Sequence, residues 1–193
     1  MNEFYLIYIA LTLLTSTTEG VYGIFGTVPG GLAYPAIPVI FLTPGHYSSS
    51  ESPSNAFDQN TATQYSNSGS CYLTGNNDIS CGTGSGIYMV PDRGTTLLRS
   101  LRFSTGTSAA ASDPLTVVVE GSNAGLSELL IGSSWTIIYN GTTGLDTNPG
   151  RSTYGVTQYI SNSNWYTSYR IIITSKRASS CCVIYGEIEM MGY

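Results

Sequence analysis

The chain is poor in charge. Asp, Glu, Lys and Arg make up 10% of its 193 residues, and the seven basic side chains, Arg93, Arg99, Arg102, Arg151, Arg170, Lys176 and Arg177, are scattered. A nucleic acid or an anionic membrane calls for a clustered basic face, and a net charge of −5 suits neither partner. Histidine is nearly absent: His46 stands alone between Gly45 and Tyr47, reads as a loop residue, and is the sole candidate base for nucleophilic catalysis. No Cys-x-x-Cys occurs, so the spacing of a zinc site is missing. There is no Gly-x-Ser-x-Gly elbow, and the Gly82–Gly86 run lacks the lysine and helix of a phosphate loop. Glu187 and Glu189 are a possible carboxylate pair, but no second acidic cluster accompanies them, which argues against a glycosidase.

Low charge goes with abundant Gly, Ser, Thr, Asn and Tyr, a composition that suits short strands and turns better than helices. The length fits one domain with appendages. Residues 1–20 outline a secretory leader: an apolar run from Phe4 to Leu14, then small residues at Thr18 and Gly20. The run is too short to cross a bilayer, which takes roughly 20 residues. An uncleaved anchor is the alternative, because the start carries Glu3 and no Lys or Arg. Loss of the leader leaves 10 acidic against 7 basic residues, a charge of −3.

Residues 21–43 form an arm that is apolar and rich in proline and glycine. Pro29, Pro35 and Pro38 forbid a helix, so the arm is extended and its apolar side chains need a surface. That surface is either its own domain, with the arm as a first strand, or the exposed sheet edge of another subunit. Four cysteines, Cys71, Cys81, Cys181 and Cys182, suit two disulfides in an oxidising compartment, with three possible pairings. A bond between neighbours is strained, since adjacent Cα atoms lie about 3.8 Å apart and disulfides span about 4.4–6.8 Å. The favoured pairing therefore joins Cys181 and Cys182 to Cys71 and Cys81.

From Pro44 onward, period-2 segments alternate with turns. Leu115, Val117 and Val119 form one such set; Trp135, Ile137 and Tyr139 another; Tyr169, Ile171 and Ile173 a third; Ile184, Ile188 and Met190 give the last strand an apolar face. Further strands are predicted near 87–90, 97–103 and 154–160. Some eight strands without a helical period imply an all-β sandwich or jelly roll. No repeat of 20–50 residues is visible, against a propeller or solenoid.

The stretch Ser54-Asn-Ala-Phe-Asp-Gln-Asn-Thr-Ala-Thr-Gln-Tyr65 resembles the opening of discoidin-type modules, the coagulation factor 5/8 type C or galactose-binding-like domains. Later landmarks follow in order: Gly86–Val90, Leu98–Phe103, Asp113-Pro followed by a strand and Gly121-Ser-Asn123, Trp135–Tyr139, Tyr166–Ile171 and Tyr185–Met190. The resemblance covers residues 44–193. It implies an eight-stranded jelly-roll β-sandwich without catalysis, whose loops bind glycans, phospholipid headgroups, or cell-surface and extracellular-matrix proteins in adhesion. Tyr65 replaces a common Trp, and residues 66–85 do not align.

Asp58-x-Asn60-x-x-Thr63 resembles the calcium site of sugar-binding relatives, which Glu187 would close. Calcium takes six to eight oxygen ligands, and such a turn supplies several. The alternative is an Asx turn that only satisfies backbone amides. For a sugar ring, an aromatic face with nearby amides is needed. Trp165 and Tyr166, with Asn162 and Asn164, form the first candidate, and Tyr72, Asn76 and Asn77 the second; Tyr166 also suits a packing role, and Trp135 the core. Asn140-Gly-Thr142 is the sole glycosylation sequon and also reads as an Asn-Gly turn. Two functions follow: a secreted glycan-binding or adhesion module, or a subunit of an extracellular coat or filament that self-associates through residues 21–43.

Overall fold

The computed structural model describes residues 10–15, 17–38, 43–71 and 77–193. Thirteen strand segments appear among them: β1 (Thr12–Leu13), β2 (Val21–Phe25), β3 (Tyr34–Pro35), β4 (Ile37–Pro38), β5 (His46–Tyr47), β6 (Tyr65–Asn67), β7 (Gly86–Met89), β8 (Leu98–Thr105), β9 (Pro114–Ser122), β10 (Thr136–Thr142), β11 (Gln158–Tyr159), β12 (Ser168–Lys176) and β13 (Val183–Gly192). A five-stranded layer runs β1-β13-β8-β11, with β6 also on β13, and a six-stranded layer runs β10-β9-β12-β7-β2-β3. A short parallel pair joins β4 to β5. The chain is an all-β sandwich of antiparallel sheets.

Alternation places the core between the layers. Leu101 and Phe103 on β8 lie opposite Met190 and Ile188 on β13. From the other sheet, Ile87, Val117, Val119, Ile171 and Ile173 complete the cluster. Tyr185 stacks edge-on against both Tyr65 and Phe103, at 5.6 and 5.5 Å. Each buried aliphatic or aromatic side chain contributes about 1.5–3 kcal/mol.

The period-2 reading fails at two bulges. On β13 the pairing shifts between Tyr185 and Ile188, so Val183 and Tyr185 face the core before the shift and Ile188 and Met190 after it, while Ile184 is only partly buried. On β10 it shifts between Ile137 and Tyr139, and Ile137 is exposed. An inserted residue reverses every later side chain.

Residues 21–38 of the arm lie on their own domain, and residues 39–42 fall outside the described residues. β2 pairs with β7, and Tyr22 stacks on Tyr88 with ring centroids 4.8 Å apart. The loop after β2 covers the outer face of the six-stranded sheet, where Arg170 and Glu120 are both fully buried. Arg170 Nε donates to Glu120 Oε2 at 2.6 Å and its Nη1 to the Gly31 carbonyl at 3.0 Å, while the Gly30 amide donates to Glu120 Oε1 at 2.7 Å. Trp135, expected in the core, lies instead over this pair, its ring 4.8 Å from the guanidinium, and its indole donates to the Leu129 carbonyl at 2.9 Å. A Cβ on Gly132 would come within 2.1 Å of the Gly30 carbonyl, so only glycine admits the loop here.

Part of the expected leader also touches the sandwich. Thr12 and Leu13 pair with Gly192 and Met191, and Leu14 is fully buried.

Candidate functional site

The turn after Ala56 meets the last strand. Asp58 Oδ1 accepts from the Asn60 amide at 2.9 Å, and Asp58 Oδ2 accepts the Thr63 hydroxyl at 2.8 Å. The Asn60 amide also donates to Glu187 Oε1 at 3.2 Å, across 127 residues. Gln59, with φ of 62°, makes the tight bend. The β13 bulge turns Glu187 out of the core and under this turn, where it is 1% exposed. Ser104 Oγ accepts from the Glu187 amide at 2.7 Å and fixes the bulge. All four residues read as calcium ligands, Asp58, Asn60, Thr63 and Glu187, thus converge.

Electrostatics make this junction incomplete. Burial, then the adjacent Asp58 carboxyl, push the Glu187 carboxyl up to about 8. No cation pairs with Glu187 among the described residues. Neighbouring Glu189 differs, since it is paired with Arg102. Among the described residues no three His, Cys, Asp or Glu side chains cluster, so the donor set here is two carboxylates plus neutral amide, hydroxyl and carbonyl oxygens. That all-oxygen set fits a hard cation such as calcium.

The Trp165 loop lies at one end of the sandwich. Trp165 is 46% exposed and Asn164 is exposed too. Asn162 is buried and structural: its Oδ1 accepts from the Asn164 amide at 3.0 Å and its Nδ2 donates to the Asn164 carbonyl at 2.9 Å. Tyr166 is closed into the core, edge-on to Tyr169 at 6.0 Å. At 7% exposure, with Tyr169 edge-on and the Gly121 backbone against it, its ring offers no open face to a ligand. Asn123, which no motif singled out for a role, clamps the loop: its Nδ2 donates to the Trp165 carbonyl at 3.1 Å and its Oδ1 accepts from the Thr167 amide at 2.9 Å. A partnership across 42 residues leaves no local sequence signal.

Of the second candidate group, the one described residue lies elsewhere. Tyr72 and Asn76 fall outside the described residues, and Asn77 is exposed beside the Asp78–Ser180 bridge. Ser180 binds the Lys176 end of β12, whereas Trp165 precedes its Ser168 end. Nine strand residues separate the ends by roughly 27 Å, so Asn77 and Trp165 cannot grip one small ligand.

Two further expectations are corrected. Cys71 bonds to Cys81, with Cα atoms 5.3 Å apart, and Cys181 and Cys182 remain thiols. The ten-residue loop closes on itself more readily than on a distant strand. Asn140 is exposed on edge strand β10, opposite Val118, and is not in a hairpin turn.

No protein-family model matches the chain, and no curated protein does. Solved structures do. The CBM32-3 module of a family 31 glycoside hydrolase from Clostridium perfringens superposes with a TM-score of 0.55 at 14% identity, over 81% of this chain and 90% of that one. A CBM32-5 module from the same organism, in complex with GalNAc-β-1,3-galactose, gives 0.55 at 8% identity, over 91% and 97%. Chitosan-binding module 1 of a chitosanase/glucanase from Paenibacillus sp. IK-5 gives 0.54 at 13%, over 93% and 98%. The chain has the galactose-binding-like β-sandwich fold of these modules.

Proposed function

We propose that the protein is a secreted, non-catalytic glycan-binding module with Trp165 as its sugar platform. The observation that carries this reading is the half-exposed indole of Trp165, presented on a loop that Asn123 and Asn162 brace, in a fold shared with carbohydrate-binding modules. An aromatic face takes the C–H side of a pyranose ring, and the exposed Asn164 amide offers hydrogen bonds to its hydroxyls. One similar structure is in complex with GalNAc-β-1,3-galactose and another is named for chitosan, so galactose-type and glucosamine-type sugars are the first ligands to try. The Cys71–Cys81 disulfide supports an oxidising, extracellular setting. Calcium at Asp58, Asn60, Thr63 and Glu187 acts structurally, tying the opening turn to the closing strand.

A glycan array tests the reading. Trp165→Ala should abolish every positive signal, while Asn77→Ala, at the other end, should leave all signals intact. Binding that survives Trp165→Ala, or no binding to any glycan, would overturn it.

The coat or filament reading keeps one supporting observation: Val28, Leu32, Tyr34 and Ile37 of the arm remain exposed although the arm is docked. Light scattering of Leu32→Glu/Tyr34→Lys beside the wild type separates the two, because a filament subunit would lose its assembly and a monomeric lectin would not change.

A further inference from the structure

The edge of β2 borders a groove that the sugar reading does not use. β3 and Ala36 cover only the second half of that edge: Ile24 pairs with Pro35 and Phe25 with Tyr34, and the Ala36 amide donates to the Gly23 carbonyl at 2.8 Å. Backbone groups alternate in direction along an antiparallel strand, so the Val21 amide and carbonyl point outward as the Gly23 carbonyl does, at the half that β3 leaves uncovered. A cavity of about 250 Å³ lies against this half, and three tyrosines line it. Tyr22, 44% exposed, is braced by its stack on Tyr88 at 4.8 Å, and Tyr47 by its edge-on contact with buried Tyr65 at 6.0 Å. Another wall is Pro53, which opens the turn Pro53–Ala56 and is itself buried. Ser52 and Ser54 stand beside it, with their hydroxyls hydrogen-bonded to each other at 2.6 Å. Among the described residues, no charged or amide side chain lines the cavity.

That lining selects the class of ligand. A saccharide calls for amides or charges placed against its hydroxyls, and an engulfed small molecule for a pocket of roughly 300–1,000 Å³. This cavity has neither, and is sized for side chains of a longer ligand lying across it. Its aromatic faces and hydroxyl donors suit an apolar chain rich in carbonyls and poor in N–H groups. Proline has that character, and in the polyproline II conformation it is extended before binding, so little ordering entropy is lost. The edge already accepts such a segment from its own chain, since Pro35 pairs on β2 and forms part of the groove wall. We propose that the groove of Tyr22, Tyr47 and Tyr88 is a docking site for an uncharged proline-rich segment of another protein, laid along the Val21–Gly23 edge. Proline rings pack on the phenol faces. The Val21 amide and the tyrosine and serine hydroxyls donate to carbonyls of the segment, and the Val21 carbonyl accepts from a non-proline N–H between them. The neutral walls match a segment without charge.

Fluorescein-labelled decaproline is titrated with the protein and followed by anisotropy, with a labelled Gly-Ser peptide of the same length as the control. Anisotropy should rise to saturation with decaproline alone. Tyr22→Ala should weaken binding by about tenfold. Ser54→Trp, which fills the groove, should abolish it, and Trp165→Ala, which removes the sugar platform, should leave it unchanged. If a groove variant does not fold, amide chemical shifts of the wild-type protein decide: decaproline should move Val21, Gly23 and Tyr47 and leave Asn164 and Trp165 in place. The proposal is overturned by an absence of saturable binding, by equal binding of the Gly-Ser peptide, by indifference to Tyr22→Ala, or by shifts centred on the Trp165 loop. A neutral oligosaccharide whose binding Tyr22→Ala abolishes would give the groove to a sugar, and self-association lost in Tyr22→Ala would give it to a second copy of the chain; either result overturns the proposal too.

Discussion

Each sheet of the sandwich buries a glutamate on its outer face, and the two are neutralised differently. Glu120 on β9 lies beside Arg170, one strand over, and both are capped by the backbone of Gly30 and Gly31. Glu187 on β13 lies beside a second carboxyl, Asp58, and beside backbone amides. The first site balances its charge within the chain, although Arg170 Nη2 is buried without a hydrogen-bond partner among the described residues. The second lacks one positive charge, which a proton or a cation can supply. A fully matched pair fixes structure, whereas an unmatched one makes stability depend on the solution.

That contrast can be broken most severely at the matched pair. Arg170→Met leaves Glu120 charged and buried, and should cost about 3–5 kcal/mol in urea unfolding, whereas Glu120→Leu/Arg170→Met should recover most of the loss. Full stability in the single variant would show that Glu120 has another partner.

The unmatched site gives a smaller, pH-dependent effect. The Glu187 carboxyl is held near 8 in the fold against 4.5 ordinarily, so the folded chain binds its proton more tightly. This contribution is complete below about pH 4.5, and is lost as pH rises through about 8. Calcium-free protein should therefore melt at lower temperature at pH 8 than at pH 5, by the equivalent of about 1–3 kcal/mol. Added calcium should raise the melting temperature most at the higher pH. Glu187→Gln should flatten the pH dependence in chelator and remove the response to calcium. A wild-type melt indifferent to both would contradict the cation reading.

The smallest effect on stability comes from the exposed loop. Trp165→Ala should change unfolding by less than about 0.5 kcal/mol. Asn123→Ala, which frees the loop, should cost about 1 kcal/mol and weaken sugar binding severalfold.

The Asp58–Glu187 meeting was legible because both residues stand inside ordered landmarks, and the turn's carboxylate, amide and hydroxyl announce themselves locally. Core strands such as Leu115–Val119 were legible for the same reason, as alternation needs no distant partner. Three features were not. Bulges on β10 and β13 reverse the alternation, so Ile137 and Ile184 leave the faces their spacing assigns. Trp135 is apolar enough for a core but is drawn to Arg170, an attraction that depends on which strands become neighbours. Tyr166 and Trp165 are adjacent aromatics, and only the packing of Gly121 and Tyr169 decides which one is buried. The apolar run read as a leader likewise supplies β1, because a hydrophobic segment suits a translocation signal and a sheet edge alike.

Trp135 and Trp165 are the chain's two tryptophans, one buried and one half-exposed. Tryptophan fluorescence of Trp135→Phe, titrated with galactose- and glucosamine-type oligosaccharides, therefore reads Trp165 alone. The account predicts a saturable blue shift with at least one of these sugars. A spectrum unchanged by an oligosaccharide that the same protein binds by calorimetry would place recognition elsewhere and contradict it.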